Sequence, residues 1–171
     1  MITISSPKIK SFSQKNYNEI IDKLQFHSIS CTCGQKGQLI RHGYYTRSIK
    51  TPSGLKSLKI LRVKCNHCNR THAILLDFIV PYSRITLEDH LAIIKSFESK
   101  QSYEPIMLLN PYIDEGNIVY VIKQYLHHWK QKLFAFGLSI NNCLIKNCFA
   151  VFKRQFMQIK RTLNILFLET T

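Results

Sequence analysis

The stretch VKCNHCNRTH, residues 63–72, places two cysteines and two histidines within eight positions of a chain that is rich in lysine. Cys65 and Cys68 have the Cys-x-x-Cys spacing that is typical of one half of a tetrahedral zinc site. Such a site needs four donors. The stretch therefore predicts that a second pair of ligands lies elsewhere in the chain.

The second pair is predicted to be Cys31 and Cys33, in SCTCGQKG at residues 30–37. Gly34 follows this pair as Asn69 follows the other, and both residue types tolerate the left-handed backbone conformation that closes a tight turn. A Cys-x-Cys turn must be tighter than a Cys-x-x-Cys turn, because alternate side chains of an extended strand lie far apart.

The segment between the two pairs predicts a β-hairpin. QLIRHGYYTRSIK and LKSLKILRVK have strand-like alternation, and TPSG between them has the residues of a turn. A hairpin brings its two ends together, so it would place the cysteine pairs side by side. We therefore expect a zinc ribbon that holds one structural Zn²⁺ through Cys31, Cys33, Cys65 and Cys68. Two alternatives remain open: a mixed set in which His27, His67 or His72 replaces one thiolate, and buried or redox-active thiols.

The charge of the chain predicts a polyanionic partner. The formal net charge is +14, and residues 1–84 hold 14 Lys and Arg against 3 Asp and Glu, whereas residues 85–135 hold 5 against 6. We expect phosphate contacts from Lys36, Arg41, Arg47, Lys50, Lys56, Lys59, Arg62, Lys64 and Arg70. No apolar run reaches membrane-spanning length, so no membrane partner and a cytoplasmic location are expected.

Patterns along the rest of the chain predict an α+β protein in four parts. These are an N-terminal helix or arm (1–27), a zinc ribbon (28–84), a helix-turn-helix region (85–135) and a long C-terminal amphipathic helix (136–171). Asn16 is expected to cap the N-terminal helix. The zinc ribbon is expected to have a third strand in THAILLDFIVPYS.

The helix-turn-helix region is predicted from three capped helical segments. Thr86 caps LEDHLAIIKSFE, Ser102 caps the short YEPIMLLN, and Asp114 caps the longer EGNIVYVIKQYLHHWKQKLFAF. A short helix, a turn and a longer helix have the spacing of a helix-turn-helix. The residues of the longer helix that face away from its apolar stripe would read bases: Asn117, Tyr120, Lys123 and Gln124. Packing of three helices alone would give the same pattern.

The C-terminal section has apolar residues at alternating spacings of four and three from Ile145 to Leu166, with lysines beside them at every seventh position. This seam over residues 145–166 predicts a helix that packs lengthwise, either on the protein's own helices or on a second copy or another protein. The lysines beside it predict a solvated ridge or an added phosphate-binding surface.

The acidic residues do not predict an active site. Two-metal phosphoryl chemistry needs several converging carboxylates, and the chain has ten acidic residues in all. Glu88 with Asp89, and Asp114 with Glu115, stand at predicted helix starts, where carboxylates interact favourably with the helix dipole. We therefore expect no catalytic residues and no enzymatic activity.

The quoted cysteine motifs, with GQLIRHGYYTR and ILRVKCNHCNRTHAILLDFIVPYS, resemble the zinc-ribbon and helix-turn-helix region at the front of bacterial insertion-sequence transposases. They more closely resemble a family of short Firmicutes proteins that carry this segment. The resemblance implies binding to double-stranded DNA in connection with a mobile element, as an accessory or truncated transposase acting with a transposase. The catalytic acidic triad of those transposases would need a further domain. Alternatives are a free-standing repressor or an RNA-binding zinc protein and, less favoured, a metal-dependent nuclease.

Overall fold

The computed structural model describes residues 1–4, 13–141, 143–152 and 154–159. Within these ranges the chain is of the α+β class, with a four-stranded sheet and six α-helices. The predicted class is therefore confirmed. No helix in the described ranges is long and apolar enough to cross a membrane.

The sheet has the order β1-β4-β3-β2. Its strands are β1 (Ile2–Ile4), β2 (Leu39–Thr51), β3 (Gly54–Cys65) and β4 (Thr71–Leu76). The two strands expected between the cysteine pairs are β2 and β3, which pair antiparallel from Leu39 opposite Cys65 to Thr51 opposite Gly54. β4 pairs antiparallel with β3, and β1 pairs in parallel with β4. The parallel strand β1 was not expected from the sequence.

The apolar residues of LKSLKILRVK, which forms β3, do not alternate strictly, because Ile60 and Leu61 are neighbours. Ile60 and Leu61 are adjacent, so they point to opposite faces of the sheet, and both are 0% exposed. β2 carries a bulge between Arg41 and Gly43, which shifts its register against β3. Both faces of the central hairpin are thus covered near this position.

Helix α1 (Gln14–Asp22) covers the part of β3 that β4 does not reach. The Gln14 side chain donates to the Lys59 carbonyl at 3.1 Å and accepts from the Lys59 amide at 2.7 Å. The buried Tyr17 hydroxyl donates to the Ile74 carbonyl and accepts from the Leu61 amide, both at 2.9 Å. The helix begins earlier than expected, because the Ser13 side chain rather than Asn16 forms its N-cap.

Five helices follow the sheet. They are α2 (Leu87–Glu98), α3 (Glu104–Leu109), α4 (Glu115–His128), α5 (Lys130–Ala135) and α6 (Leu144–Phe152). The predicted caps at Thr86 and Asp114 are confirmed, and each forms a reciprocal capping box with the residue three positions later. The predicted cap at Ser102 is wrong: α3 begins at Glu104 with Tyr103 as its N-cap, although the Ser102 hydroxyl accepts from the Glu104 amide at 3.1 Å. The long helix expected after Asp114 is interrupted at Trp129, where φ is −126°.

The single long helix expected over 136–171 is wrong for the described residues. Helix α5 ends before Gly137, which has a φ of 62°, and α6 ends at Phe152. Phe156 then folds into the core of the helices, 5.1 Å from the Trp129 ring and 0% exposed. Burial of this ring outweighs continuation of the helix. The part of the predicted seam beyond Ile159 lies outside the described residues.

Candidate metal centre and basic surface

Cys65 and Cys68 lie in the tight turn between β3 and β4. Cys65 is the last residue of β3, its amide donates to the Arg70 carbonyl at 3.0 Å, and its carbonyl accepts from the Asn69 amide at 2.9 Å. Asn69 has a φ of 58°, the left-handed conformation that the sequence predicts. The turn lies beside the start of β2, where Leu39 pairs with Cys65.

Cys31 and Cys33 lie in a second tight turn, just before β2. The Gly34 amide donates to the Cys31 carbonyl at 2.9 Å, and the Cys31 amide donates to the Gln35 carbonyl at 2.8 Å. Gly34 has a φ of 90°, a conformation that costs glycine little and other residues much. These bonds close the shorter Cys-x-Cys turn.

The four cysteine sulfurs converge. Cys31 Sγ lies 3.6 Å from Cys68 Sγ, Cys33 Sγ lies 3.9 Å from Cys65 Sγ, and all four atoms lie within 4.8 Å of one another. Four thiolates around a tetrahedral zinc, with Zn–S bonds of about 2.3 Å, would be about 3.8 Å apart. A disulfide would need about 2.05 Å. The cluster therefore suits a metal ion, and its all-sulfur donor set suits zinc.

The cysteines of the cluster differ in burial, and the surroundings of one of them favour the thiolate. Cys31 and Cys65 are buried, Cys68 is half-buried and Cys33 is exposed. Hydrogen bonding from the Cys68 backbone lowers the pKa of the Cys65 thiol to about 7, against the opposing effect of burial. The thiolate is the form that binds metals, so this turn already prepares Cys65 as a ligand.

The three histidines considered as ligands have different surroundings. His27 and His67 are exposed, whereas His72 on β4 is buried and its Nε2 lies 3.2 Å from Cys31 Sγ. Burial lowers the pKa of the His72 imidazole. Among the described residues, the group of converging ligand atoms consists of the four cysteines without a histidine. His72 thus contacts the cluster from outside it.

Three of the nine cations predicted to contact phosphate have partners within the protein, although Arg41 is itself exposed. Arg41 pairs with Asp22 at 3.1 Å and lies over the Phe26 ring. Arg47 donates to the carbonyls of Val80 and Ser83. These arginines therefore stabilise the fold as well as carrying charge.

Lys50 is the third. Its ammonium group donates to the Tyr112 carbonyl at 3.0 Å, to Asp114 Oδ2 at 2.8 Å and to Asn117 Oδ1 at 3.1 Å. This contact joins the end of β2 to the N-terminus of α4. The ion pair with Lys50 lowers the pKa of the Asp114 carboxyl.

The remaining predicted cations lie at the surface. Arg62 and Arg70 are exposed and Lys64 is half-buried; Lys36, Lys56 and Lys59 are also exposed. Ile40, Lys64 and Thr71 lie opposite one another on three neighbouring strands and so share a face, on which Arg62 donates to Thr71 at 3.1 Å. We call Arg62, Lys64 and Arg70 the basic patch. It lies directly beside the second cysteine turn.

The residues expected to read bases do not all point to solvent. Lys123 is exposed, while Tyr120 and Gln124 are half-buried. Asn117 Oδ1 accepts from the Asp114 amide at 3.3 Å and from Lys50, so its acceptor is already used inside the protein. The structure thus leaves Lys123 as the most accessible member of this set.

The carboxylates considered for catalysis take part in helix capping. Asp89 is buried, caps α2 together with Thr86, and accepts from the Tyr112 hydroxyl at 2.9 Å. Asp114 caps α4 and pairs with Lys50. Both groups thus have structural partners.

Part of the chain is similar to a known family. Residues 30–107 match the model of a family described as a domain of unknown function, DUF6431. The match includes both cysteine turns, the hairpin between them, and the chain through α2 into α3. No curated protein and no solved structure matches the chain. The four-cysteine cluster and this match together fit a zinc-ribbon-like family.

Proposed function

We propose that this protein binds double-stranded DNA through a zinc-stabilised ribbon and that it has no catalytic activity of its own. One observation carries the proposal. Residues 23–76, which include both cysteine turns and the hairpin, contain ten Lys and Arg and no Asp or Glu. A structural module with ten cations and no acidic residue is suited to a polyanion, because each phosphate contact releases condensed counterions.

The way these cations are held supports the proposal. The strand register places Arg62 and Lys64 on one face of the hairpin, and the cysteine turn holds the backbone of Arg70 at the end of the same strand pair. Preordered cations lose less side-chain freedom on binding than cations on a mobile tail. Exposed Ile40, with 47% of its surface accessible, offers an apolar contact on the same face. We assign the non-specific part of DNA binding to this face.

The metal has a structural role in this proposal. Four thiolates fill a tetrahedral coordination sphere, whereas a catalytic zinc site keeps one position for water or substrate. Bound there, zinc would hold the two cysteine turns together. The side chains of the protein, and not the metal, then contact the DNA. The structural partners of Asp89 and Asp114 support the absence of catalysis.

Helices α3 and α4 form the helix-turn-helix of this proposal. Lys123, Gln124 and Tyr120 supply base contacts, and Asn117 joins them only when Lys50 releases its side-chain oxygen. The region has nearly balanced charge, which suits a reader of base edges more than a source of phosphate affinity. Base preference is thus assigned to α4 and most affinity to the ribbon.

The link to a mobile element rests on the resemblance of the cysteine and hairpin motifs to the front of insertion-sequence transposases. We propose that the protein acts as an accessory or truncated transposase, alongside a complete transposase. Ile145, Phe152 and Phe156 of the 145–166 seam pack in the core of the helices. We therefore assign the contact with such a partner to other residues of α6, such as exposed Val151.

The test is a binding titration of the zinc-loaded full chain with a fluorescent 30-base-pair duplex, followed by competition with unlabelled DNA and RNA. We expect binding that duplex DNA displaces at lower concentration than RNA does, and plasmid that stays intact with Mg²⁺ or Mn²⁺. Absence of duplex binding would refute the proposal. Preferential displacement by RNA would assign the ribbon to RNA, and metal-dependent cleavage would show that the protein is an enzyme.

A further inference from the structure

His72 lies between the cysteine cluster and the first residue of the chain. It is 6% exposed, and its Nε2 lies 3.2 Å from the sulfur of Cys31. On β4 it stands opposite Val63 of β3, two residues before Cys65. The sheet therefore fixes the backbone of His72 relative to the strand that carries one cysteine ligand.

The other ring nitrogen of His72 determines where its proton lies. Nδ1 is 3.5 Å from the amino group of Met1, which is a donor. A neutral imidazole carries one N–H and one acceptor nitrogen. If Nδ1 accepts from Met1, the N–H is on Nε2 and points at the Cys31 sulfur.

We propose that His72 donates an Nε2–H···S hydrogen bond to the Cys31 thiolate and thereby positions it as a metal ligand. The inference rests on the proposed metal centre and adds a fifth residue to it. A buried thiolate is costly unless hydrogen bonds offset its charge. At Cys65, backbone hydrogen bonds from Cys68 and His67 serve that purpose. At Cys31, the first cysteine of the tighter turn, the imidazole provides a donor.

The geometry separates this role from that of a direct ligand. A zinc-bound imidazole nitrogen lies about 2.0–2.1 Å from the metal, on the metal side of the thiolates. The four sulfurs already converge within 4.8 Å without His72. Partners that hold a metal ligand in place commonly change metal affinity about 10- to 100-fold when they are removed.

The direct test is NMR of the ¹⁵N-labelled full chain loaded with ¹¹³Cd. We expect the proton of His72 on Nε2 and a scalar coupling between that proton and ¹¹³Cd across the sulfur. A proton on Nδ1, or a proton on Nε2 without the coupling, would overturn the proposal. A one-bond ¹¹³Cd–¹⁵N coupling would also overturn it, since His72 would then be a ligand.

Substitutions give an independent readout. His72→Gln keeps a side-chain N–H donor, His72→Leu removes it, and His42→Gln is the matched control at an exposed position outside the cysteine turns. We expect zinc transfer to a chelator to be about 10-fold faster in His72→Leu than in the native protein, and largely restored in His72→Gln. The thiolate-to-Co²⁺ charge-transfer band should shift in the same order. Equal rates and spectra in all three variants would contradict the proposal.

These experiments distinguish two failures. If the native chain binds no metal, the proposed metal centre itself is wrong. If it binds metal but lacks the coupling and the donor-dependent rates, only the role of His72 is wrong. Should His72→Leu fail to fold, the NMR of the native protein and the Gln variant still decide the question.

Discussion

Gly34 and Asn69 have left-handed φ values of 90° and 58°, and each closes a turn that carries a cysteine pair. A residue with a β-carbon pays roughly 1–2 kcal/mol to adopt this conformation, with Gly and Asn the usual exceptions. Apart from its chain neighbours, no atom of the residues that the structure describes lies within 4 Å of the place that a β-carbon at Gly34 would take. The requirement for glycine at this position is therefore conformational and not steric.

At the residue scale, Cys65→Ser and Cys68→Ser are expected to abolish metal binding and unfold the ribbon. A serine hydroxyl cannot replace a thiolate donor, and a small hairpin module obtains much of its folding free energy from its metal. Elemental analysis should give one zinc per native chain and much less in either variant. Cys143→Ser, at an exposed cysteine outside the cluster, is the control and should retain the metal.

His90 predicts a loss of stability in acid. Burial lowers the pKa of this imidazole to about 3, compared with an ordinary value of 6.5. Between these values the unfolded chain binds a proton that the folded chain does not, so stability falls as the pH falls below about 6.5. The contribution is up to about 1.4 kcal/mol per pH unit.

The check compares urea unfolding of the native protein with that of His90→Gln at pH 7, 6, 5 and 4. Glutamine does not titrate and retains a polar partner for Ser83, which lies 2.8 Å from His90 Nε2. As the pH falls, the unfolding free energy of the native protein should decrease more than that of His90→Gln. A difference that does not depend on pH would show that His90 does not cause this loss.

At the scale of elements, local signals were sufficient for the helix starts and the hairpin. Thr86 and Asp114 act within three residues of the chain, and the alternation of residues 38–64 reflects burial on each face of β2 and β3. Long-range contacts were not predictable. β1 pairs with a strand about seventy positions away, and Phe156 ends the helical pattern by packing on Trp129.

The same division applies to the candidate site. Each cysteine turn is a local feature, so the sequence predicted its four cysteines and its left-handed residues. The partners of Arg47 and Lys50 lie more than thirty positions away, so nothing local distinguished these cations from the exposed ones. One local feature could have pointed to His72. Every second residue is buried at the start of β4, and this alternation makes His72 a buried residue close to the cysteine turn.

Helix α1 predicts a stability effect at a single hydroxyl. Tyr17→Phe removes the group that pairs with the Leu61 amide and the Ile74 carbonyl, leaving both buried backbone groups without that partner. We expect a loss of about 1–3 kcal/mol in unfolding free energy. Guanidinium unfolding measures it, with Tyr44→Phe at an exposed tyrosine as the control. Equal stability of the two variants would mean that α1 does not brace β3 through this bond.

At the scale of the whole molecule, the sheet and the helices are joined by cations of β2. The Lys50 amide donates to the Arg84 carbonyl at 2.7 Å, and its side chain reaches the start of α4. Arg47 adds contacts to the chain that leads into α2. These bonds orient the ribbon against the helical region and withdraw two cations from the set available to DNA.

The central claim, that the ribbon supplies the salt-sensitive affinity for DNA, is tested most directly by matched charge changes. One triple variant replaces Arg62, Lys64 and Arg70 of the basic patch with glutamine. The other replaces three exposed lysines of the helical region, Lys95, Lys100 and Lys132. Both lower the net charge by the same amount, so a difference between them reports position and not total charge.

The measurement is the slope of log affinity against log salt for a fixed duplex, with zinc content verified in each protein. Loss of the basic patch should reduce the magnitude of the slope by roughly 2–3, about 0.9 for each phosphate contact, whereas the control triple should change it by less than about 1. Equal slopes in the two triple variants, or a larger change in the control, would contradict the claim that the ribbon faces the DNA.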